Sequence, residues 1–133
     1  MPLDADIVGR TYPPTGPVAV TAESIAAFDA ATGGDGRTTT APATYPIVLA
    51  FEAMQTFLAT EELALHHIVH GEQRFAYERP IVVGDTLTAT LEVASLRSIG
   101  GNDIIGTSSR ITDATGALVC TGTATLVHTG GAA

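Results

Sequence analysis

Positions 46–58 are apolar on nearly every side of a helix of that length. Only Glu52, Gln55 and Thr56 are polar within this stretch. Pro46 suits the first helical position, where the missing N–H of proline is not needed. We therefore predict a buried central helix that begins near residue 45, runs to about residue 58 and exposes at most one narrow polar stripe to solvent.

The second half of the chain alternates between apolar and polar residues, as strands with one buried face do. Four runs show this pattern, at 69–77, 86–96, 104–112 and 117–127. Turn-forming residues separate the last three strands from what precedes them, at 84–85, 100–103 and 113–116. Because these turns are short, we predict sequential antiparallel hairpins.

The same alternation assigns side chains to the two faces of the predicted strands. One face of the first strand is predicted to carry Val69, Gln73, Phe75 and Tyr77. The opposite face is predicted to carry His70, Glu72 and Arg74. In the last strand Cys120, Gly122 and Ala124 share a face. These small residues predict that a helix packs closely against that face.

The first 40 residues predict an arm, a short helix and a loop. Positions 7–12 and 18–20 flank a proline-rich turn, which indicates an extended arm across a sheet edge. Thr21 is a good N-cap, and Gly33 stops the amphipathic helix that follows. Positions 33–40 lack periodicity and predict a loop that leads into the central helix.

These elements predict a single α+β domain in which a curved antiparallel sheet wraps around one buried helix. The chain of 133 residues is long enough for one core, which we place at 1–129, with 130–133 as a disordered tail. A sheet with a free edge and a helix this apolar both need further cover. We therefore expect a dimer.

Composition narrows the classes of partner and compartment. Acidic residues outnumber basic ones 14 to 6, and the basic residues are scattered arginines, which disfavours nucleic acid as a partner. Cys120 is the single cysteine, so an intrachain disulfide is excluded, and we interpret it as a core filler. The chain shows no apolar run of membrane-spanning length and no signal-peptide pattern at its start, which favours the cytoplasm.

Several runs of residues resemble the MaoC-like dehydratase N-terminal family, which has the hot-dog fold. They are DADIVGRTY at 4–12, APATYP at 41–46, VHGEQRFAYERPIVVGD at 69–85 and GGNDII at 100–105. The family includes subunits of actinobacterial (R)-3-hydroxyacyl-thioester dehydratases, so the resemblance implies fatty acid or polyketide metabolism. It also implies a pocket for an acyl thioester of coenzyme A or acyl carrier protein, and it implies neither a cofactor nor a metal.

Catalytic members of that family carry Asp-x-Asn-Pro-x-His in the loop before the central helix, where the two side chains act as general base and acid. Asp35 matches the aspartate by its place after a helix-ending glycine, whereas the Asn-Pro pair is absent and Thr40 stands where the histidine would fall. The resemblance therefore makes Asp35 a candidate catalytic residue. The alternative interpretation is that Asp35 only stabilises a turn, as aspartate often does in glycine-rich loops. The resemblance places His70 at the pocket mouth, where it shuttles a proton or hydrogen-bonds a loop.

The remaining candidate site residues bind substrate. The N-terminus of the central helix gathers free amides that can polarise a thioester carbonyl, which makes Thr44, Tyr45 and Ile47 candidates, with simple packing as the alternative. Gly71 and Gln73 are candidates because the resemblance puts their segment at the pocket. No further Cys or acidic ligand has compatible spacing with His66, His67 and His70, and the predicted strand separates His70 from the other two, so we expect no metal site.

Three hypotheses of function remain open from the sequence. The first is a dehydratase or hydratase of (R)-3-hydroxyacyl thioesters, in which this chain either is weakly active or supplies the acyl channel to a catalytic hot-dog partner, as a homodimer or heterodimer. The second is a non-catalytic acyl-binding or scaffold protein. The third is a thioesterase, in which Asp35, Glu52 or Glu72 activates water.

Overall fold

A computed structural model describes residues 3–38 and 40–129 of the chain. Two α-helices pack against one five-stranded antiparallel sheet in the strand order β1-β3-β4-β5-β2. The helices and strands are β1 (Val18–Ala19), α1 (Ala22–Ala31), α2 (Ile47–Thr60), β2 (Ile68–Tyr77), β3 (Thr86–Ile99), β4 (Asn102–Thr112) and β5 (Leu118–Thr129). Short 3-10 helices precede β1 and β2, at Ala5–Ile7 and Leu65–His67. The predicted α+β architecture is confirmed, with four of the strands close to their predicted bounds.

Helix α1 begins after its predicted cap, and α2 begins close to its predicted start. Thr21 caps α1, because its hydroxyl accepts a hydrogen bond from the Ser24 amide while Ser24 Oγ accepts one from the Thr21 amide. Gly33, with φ of 100°, takes the left-handed conformation just beyond the end of α1. Pro46 is the N-cap residue of α2, so the central helix starts one residue later.

One side of α2 is buried against the sheet, through Leu49, Ala53 and Phe57 among others. The prediction that only a narrow polar stripe would reach solvent is wrong for the single chain. Val48 is 44% exposed and Phe51 is 38% exposed, on a helix surface shared with Glu52 and Gln55. The physical reason is that one sheet covers only one side of a helix, which leaves the apolar residues of the other side without cover.

The N-terminal arm lies along the edge of β3, as predicted. Backbone hydrogen bonds join Gly9 and Tyr12 to the carbonyls of Val93 and Leu91, and β1 pairs antiparallel with the start of β3. The buried Tyr12 ring packs edge-on against Phe57 of α2, with ring centroids 5.0 Å apart. The arm therefore closes one end of the core and connects the sheet edge to the central helix.

Strand β2 contains a β-bulge at Gly71, which corrects the predicted assignment of its faces. His70 pairs with Leu126 of β5, and Glu72 pairs with Thr125, so Gly71 is an extra residue without a partner. The extra residue reverses the alternation before the bulge, and His70 therefore lies on the helix-facing side with Gln73. The assignment of Val69 to that side was wrong, because an unbroken period of two had been assumed.

Candidate functional site

A narrow cleft with a cavity volume of about 10 Å³, room for about one water molecule, lies between α2 and the inner face of the sheet. Its β2 side, at His70 and Gln73, is partly exposed to solvent. Helix α2 forms its roof, and strands β2 to β5 form its floor and walls. The lining residues are Ala50, Met54, His70, Gln73, Leu91, Thr107, Ser109, Gly122, Ala124 and Leu126. We refer to this cleft as the α2 cavity.

The α2 cavity exists because the residues of β5 beneath the helix are small. Gly122 and Ala124 line it, and a Cβ atom added at Gly122 would lie 3.1 Å from Phe75 Cε1 and 3.2 Å from Gln73 Nε2. A larger side chain at this position would therefore press on the residues that border the cavity. The sequence predicted close helix packing on this face, and the structure leaves a cavity there as well.

His70 and Gln73 form the polar part of the cavity nearest the sheet edge. His70 Nε2 lies 2.9 Å from Gln73 Oε1. Because an amide oxygen only accepts hydrogen bonds, the ring N–H at Nε2 donates to it, which leaves Nδ1 to face other partners. Gln73 Nε2 donates in turn to the carbonyl of Arg74, at 3.4 Å. The pair can therefore orient an imidazole toward a bound ligand.

Thr107 and Ser109 are the polar residues in the deeper part of the α2 cavity. Both lie on β4, and they are only 5% and 3% exposed. Their neighbours across the sheet are Ala124 and Gly122 of β5, respectively. Two hydroxyl groups therefore line an otherwise apolar end of the cavity.

Asp35 lies outside the α2 cavity, in the loop that follows α1. It is exposed, and its carboxylate accepts a hydrogen bond of 3.0 Å from the backbone amide of Arg37, which makes a local turn. The adjacent loop is organised by Asp29, which accepts a hydrogen bond from the Gly36 amide at 3.0 Å. The structure therefore does not bring Asp35 and His70 together as lining residues of this cavity.

The three candidates at the start of α2 do not line the cavity either. The amides of Tyr45 and Ile47 donate to the carbonyls of Pro42 and Thr44, at 2.9 Å and 3.0 Å, so these donors are used within the turn that precedes the helix. Tyr45 is buried, and its hydroxyl is 3.0 Å from Ser24 Oγ of α1. The expectation that these two amides are free is corrected by these hydrogen bonds.

Tyr77 connects the end of β2 to the segment that leads into α2. Its hydroxyl donates a hydrogen bond of 2.5 Å to the carbonyl of Ala43. Burial raises the pKa of Tyr77 to about 12, so the phenol keeps its proton at neutral pH. This contact holds the approach to the central helix against the strand that carries His70 and Gln73.

The other histidines lie away from the α2 cavity. The rings of His66 and His67 meet edge-on with centroids 4.2 Å apart, and the ring centroids of His67 and His128 are 6.1 Å apart. His128 is buried on β5, with Nδ1 3.7 Å from Asp103 Oδ2. Across residues 3–38 and 40–129, no group of three or more His, Cys, Asp or Glu residues has the geometry to hold a metal ion.

Of the site residues proposed from the sequence, His70 and Gln73 line the α2 cavity and Gly71 does not, whereas Thr107 and Ser109 line it and were not proposed. Gly71 carried a usable signal, because a glycine inside a strand pattern often marks a bulge. Thr107 and Ser109 occupy buried positions of β4 that alternate with less buried ones, and hydroxyl side chains are uncommon at such core-facing positions. Their place opposite Ala124 and Gly122 follows only from the strand register, which the sequence does not specify.

Comparisons with known proteins agree with this architecture. The model of the family described as FAS1-like, dehydratase domain region, matches residues 6–122. A UPF0336 protein of Leifsonia xyli subsp. xyli is 36% identical over 146 aligned positions, and the alignment covers 98% of each chain. None of the helices in the described part of the chain is long and apolar enough to cross a membrane.

Solved structures share the fold. A chain of the C-terminally truncated HadBC (3R-hydroxyacyl-ACP dehydratase) complex of Mycobacterium tuberculosis is 26% identical, with a TM-score of 0.81 over 94% of this chain and 99% of that chain. The R-hydratase PhaJ1 of Pseudomonas aeruginosa is 19% identical, with a TM-score of 0.67 over 91% of this chain and 81% of that chain. The sheet wrapped around α2 is therefore a single hot-dog fold.

Proposed function

The chain belongs to the FAS1-like dehydratase domain family, which is MaoC-like, and from this premise we propose that it is a subunit of an (R)-3-hydroxyacyl-thioester dehydratase or hydratase. In this proposal the chain supplies the acyl-binding cavity. A partner hot-dog chain that carries Asp-x-Asn-Pro-x-His supplies the catalytic acid and base. The thioester is carried on coenzyme A or acyl carrier protein.

One observation carries the subunit form of the proposal: His70 is the single titratable side chain among the residues that line the α2 cavity. Proton removal at the α-carbon and protonation of the leaving hydroxyl require a positioned base and a positioned acid. His70 is hydrogen-bonded to an amide rather than to a carboxylate. Asp35, the other candidate, is exposed and holds a turn.

Two further features support an assembly of two hot-dog chains. Val48 and Phe51 expose apolar surface on α2 that the chain's own sheet does not cover. Strand β2 is at the edge of the sheet, so its outer backbone groups are free to pair with another strand. The HadBC protein, to which the fold is similar, is a complex. A homodimer or a heterodimer with a catalytic chain would cover both surfaces.

The thioesterase alternative requires a carboxylate that activates water, and it has weaker support. Glu52 lies on the exposed side of α2, and Glu72 points away from the cavity beyond the bulge. Asp35 is in the turn described above. A non-catalytic acyl-binding protein remains the second candidate function, because the α2 cavity is present without a paired acid and base.

Turnover measurements with and without a partner test the proposal. Purified chain is incubated with crotonyl and (R)-3-hydroxybutyryl thioesters, alone and mixed with a hot-dog chain that carries the family signature. We expect turnover to rise by about 10²-fold or more over the sum of the separate chains, the size of one acid or base contribution. An additive rate across a panel of such partners, with no complex detected by sedimentation, would contradict the subunit proposal.

A further inference from the structure

A buried polar cluster lies on the sheet away from the α2 cavity. Ser98, Asp103 and His128 occupy facing positions on β3, β4 and β5. Asp103 is 1% exposed and His128 is 5% exposed, and neither lines the α2 cavity. The cluster is therefore enclosed in the fold, and the proposed function does not use it.

The hydrogen bonds of Asp103 fit an ionised carboxylate. Its Oδ1 accepts a hydrogen bond of 2.6 Å from the Ser98 hydroxyl, and its Oδ2 accepts one of 3.0 Å from the Leu3 amide. Both oxygens act as acceptors, as the oxygens of a carboxylate do. Both donors are neutral, however, and a buried carboxylate without a counter-charge is strongly unfavourable. The cluster therefore requires a cation.

His128 is the ion-pair partner that Asp103 has in the described part of the chain, with Nδ1 3.7 Å from Oδ2. That distance is longer than a hydrogen bond. Across residues 3–38 and 40–129, this Nδ1 is also the one fully enclosed side-chain atom that lacks a hydrogen-bond partner. The other titratable group beside the ring is His67, from the 3-10 helix before β2, at 6.1 Å between centroids. On β2 itself, the residue opposite His128 is the uncharged Ile68.

One proton on the His128 ring resolves both problems of the cluster. A neutral ring with its proton on Nε2 would point a lone pair on Nδ1 toward a carboxylate oxygen, which is an acceptor facing an acceptor. A neutral ring with its proton on Nδ1 could donate to Asp103 but would leave the carboxylate charge uncompensated. The imidazolium both donates from Nδ1 and supplies the positive charge, and a small rotation of the ring would bring it within hydrogen-bond distance.

We propose that His128 binds a proton in the folded protein, and that its ion pair with Asp103 is a pH-sensitive latch for the start of the N-terminal arm. Leu3 is hydrogen-bonded to the same carboxylate oxygen that faces His128. When the ring loses its proton, Asp103 loses its counter-charge, and hydration of the carboxylate then competes with the hydrogen bond from Leu3.

The sign of the pH dependence follows from the charge of the ring. The folded protein favours the protonated form, so the latch contributes its full stability where a free histidine is also protonated, and this contribution is lost as pH rises. The latch is independent of the proposed function, because it involves neither the α2 cavity nor a thioester.

Nuclear magnetic resonance of the histidine ring nitrogens tests the proton directly in the intact wild-type chain. The chain has four histidines, and single substitutions assign their signals. We expect the His128 ring to remain protonated to a higher pH in the wild type than in Asp103→Asn. A His128 ring that is already neutral at about pH 5.5, or that titrates identically in the two proteins, would overturn the inference.

A double-mutant cycle measures the ion pair as an energy. His128→Asn and Asp103→Asn, alone and together, are unfolded in urea at about pH 5.5 and at about pH 9, on either side of the range in which histidine titrates. The coupling should change the unfolding equilibrium constant by about 10-fold or more at the lower pH and fall toward a factor of about 1 at the higher pH. His66→Asn, on an exposed histidine, is the control and should show no coupling to Asp103. Coupling that is absent, or equal at the two pH values, would contradict the ion pair.

Amide hydrogen exchange in the wild type tests the latch and remains informative even if Asp103→Asn does not fold. After correction for the intrinsic exchange rate, the protection of the Leu3 amide should fall about 10-fold or more between the same two pH values. The Gly9 amide, which donates to the Val93 carbonyl at 2.7 Å, is the internal control and should keep its protection. If the protection of Leu3 does not change, the charge of His128 does not hold the start of the arm and the inference is wrong.

Discussion

His70 and Gln73 lie on the same face of β2, with His70 Nε2 2.9 Å from Gln73 Oε1, although residues three apart in a regular strand face opposite sides. The bulge at Gly71 accounts for this arrangement, because the strand contains one residue more than its partner. The imidazole therefore borders the α2 cavity instead of the outer surface of the sheet.

The bulge predicts an unusual tolerance to deletion. Removing Gly71 leaves His70 paired with Leu126 and Glu72 paired with Thr125, so every side chain of β2 keeps its face. Removing Ala76 from the regular part of the strand shifts the register by one residue and turns side chains to the wrong face. We expect the Gly71 deletion to cost about 1 kcal/mol or less and the Ala76 deletion several times more, measured by urea denaturation.

A substitution at Gly71 provides the matched control for that comparison. A Cβ atom there would lie 3.4 Å from the Thr125 carbonyl oxygen, an ordinary contact, so Gly71→Ala should remain close to the wild type. If the two deletions destabilise the protein equally, the extra residue is not at Gly71 and the account of β2 is incorrect.

Tyr12 and Glu61 connect the N-terminal arm to the end of α2. Glu61 Oε2 accepts hydrogen bonds from Tyr12 Oη at 2.5 Å and from Arg10 at 2.7 Å. Burial, followed by the hydrogen bond to Glu61, raises the pKa of Tyr12 well above its usual value. Because Tyr12 is buried and its partner is charged, Tyr12→Phe should lower the free energy of unfolding by about 1.5 to 3 kcal/mol.

Arg10→Ala is the comparison for Tyr12→Phe, because it removes the other donor to the same oxygen. The Arg10 side chain is 42% exposed, and exposed ion pairs contribute about 0 to 1 kcal/mol. Denaturation curves should therefore rank Tyr12→Phe as the more damaging change. The opposite ranking would show that the ion pair, rather than the buried hydroxyl, holds the arm.

Asp113 makes stability depend on pH in the acid range. Its carboxylate accepts hydrogen bonds from Thr115 and Arg79, and the Thr115 side chain is the largest of the causes that lower its pKa from 3.8 to about 2. The pKa of Asp85, which also pairs with Arg79, is lowered mainly by that hydrogen bond. A carboxylate with a lowered folded pKa stabilises the protein above its unfolded pKa and loses this contribution as pH falls toward the folded value.

The wild type should therefore lose stability as pH decreases from about 4 to about 2, and Asp113→Asn should lose less over that interval. Urea denaturation at a series of pH values measures both slopes. Superimposable pH profiles for the wild type and Asp113→Asn would contradict this assignment.

Cys120 should report on unfolding. The thiol is fully buried, and burial raises its pKa to about 11, so neither access nor ionisation favours reaction near neutral pH. Ellman's reagent should label the native chain slowly and the urea-unfolded chain at once, with Cys120→Ser as the blank. Rapid labelling of the native chain would show that β5 opens far more readily than a core strand should.

The sequence predicted the elements well because their signals are local. The apolar run of α2, the cap at Thr21 and the alternation in β3 to β5 each reflect residues close together in the chain. The face of β2 on which His70 lies was mispredicted, since one extra residue at Gly71 reverses the alternation of faces before it. The exposure of Val48 and Phe51 also could not be predicted from the sequence, because it depends on how much of the helix surface one sheet covers.

The candidate site could be predicted only in part, for a related reason. His70 and Gln73 are near neighbours in sequence, and the resemblance placed their segment at the pocket. Thr107 and Ser109 come together with them through pairing across three strands, which depends on register. The sequence did not reveal that the amides of Tyr45 and Ile47 are hydrogen-bonded within the turn before α2, because that turn's conformation is not set by a local pattern.

The most direct test of the central claim is the turnover of crotonyl thioester by the purified chain alone, with His70→Ala and Asp35→Asn measured beside it. The subunit account predicts little or no hydration by the wild type and no significant change in either variant, since a positioned acid and base together are missing from the α2 cavity. Robust hydration by the wild type that either substitution abolishes would show that this chain is a complete enzyme.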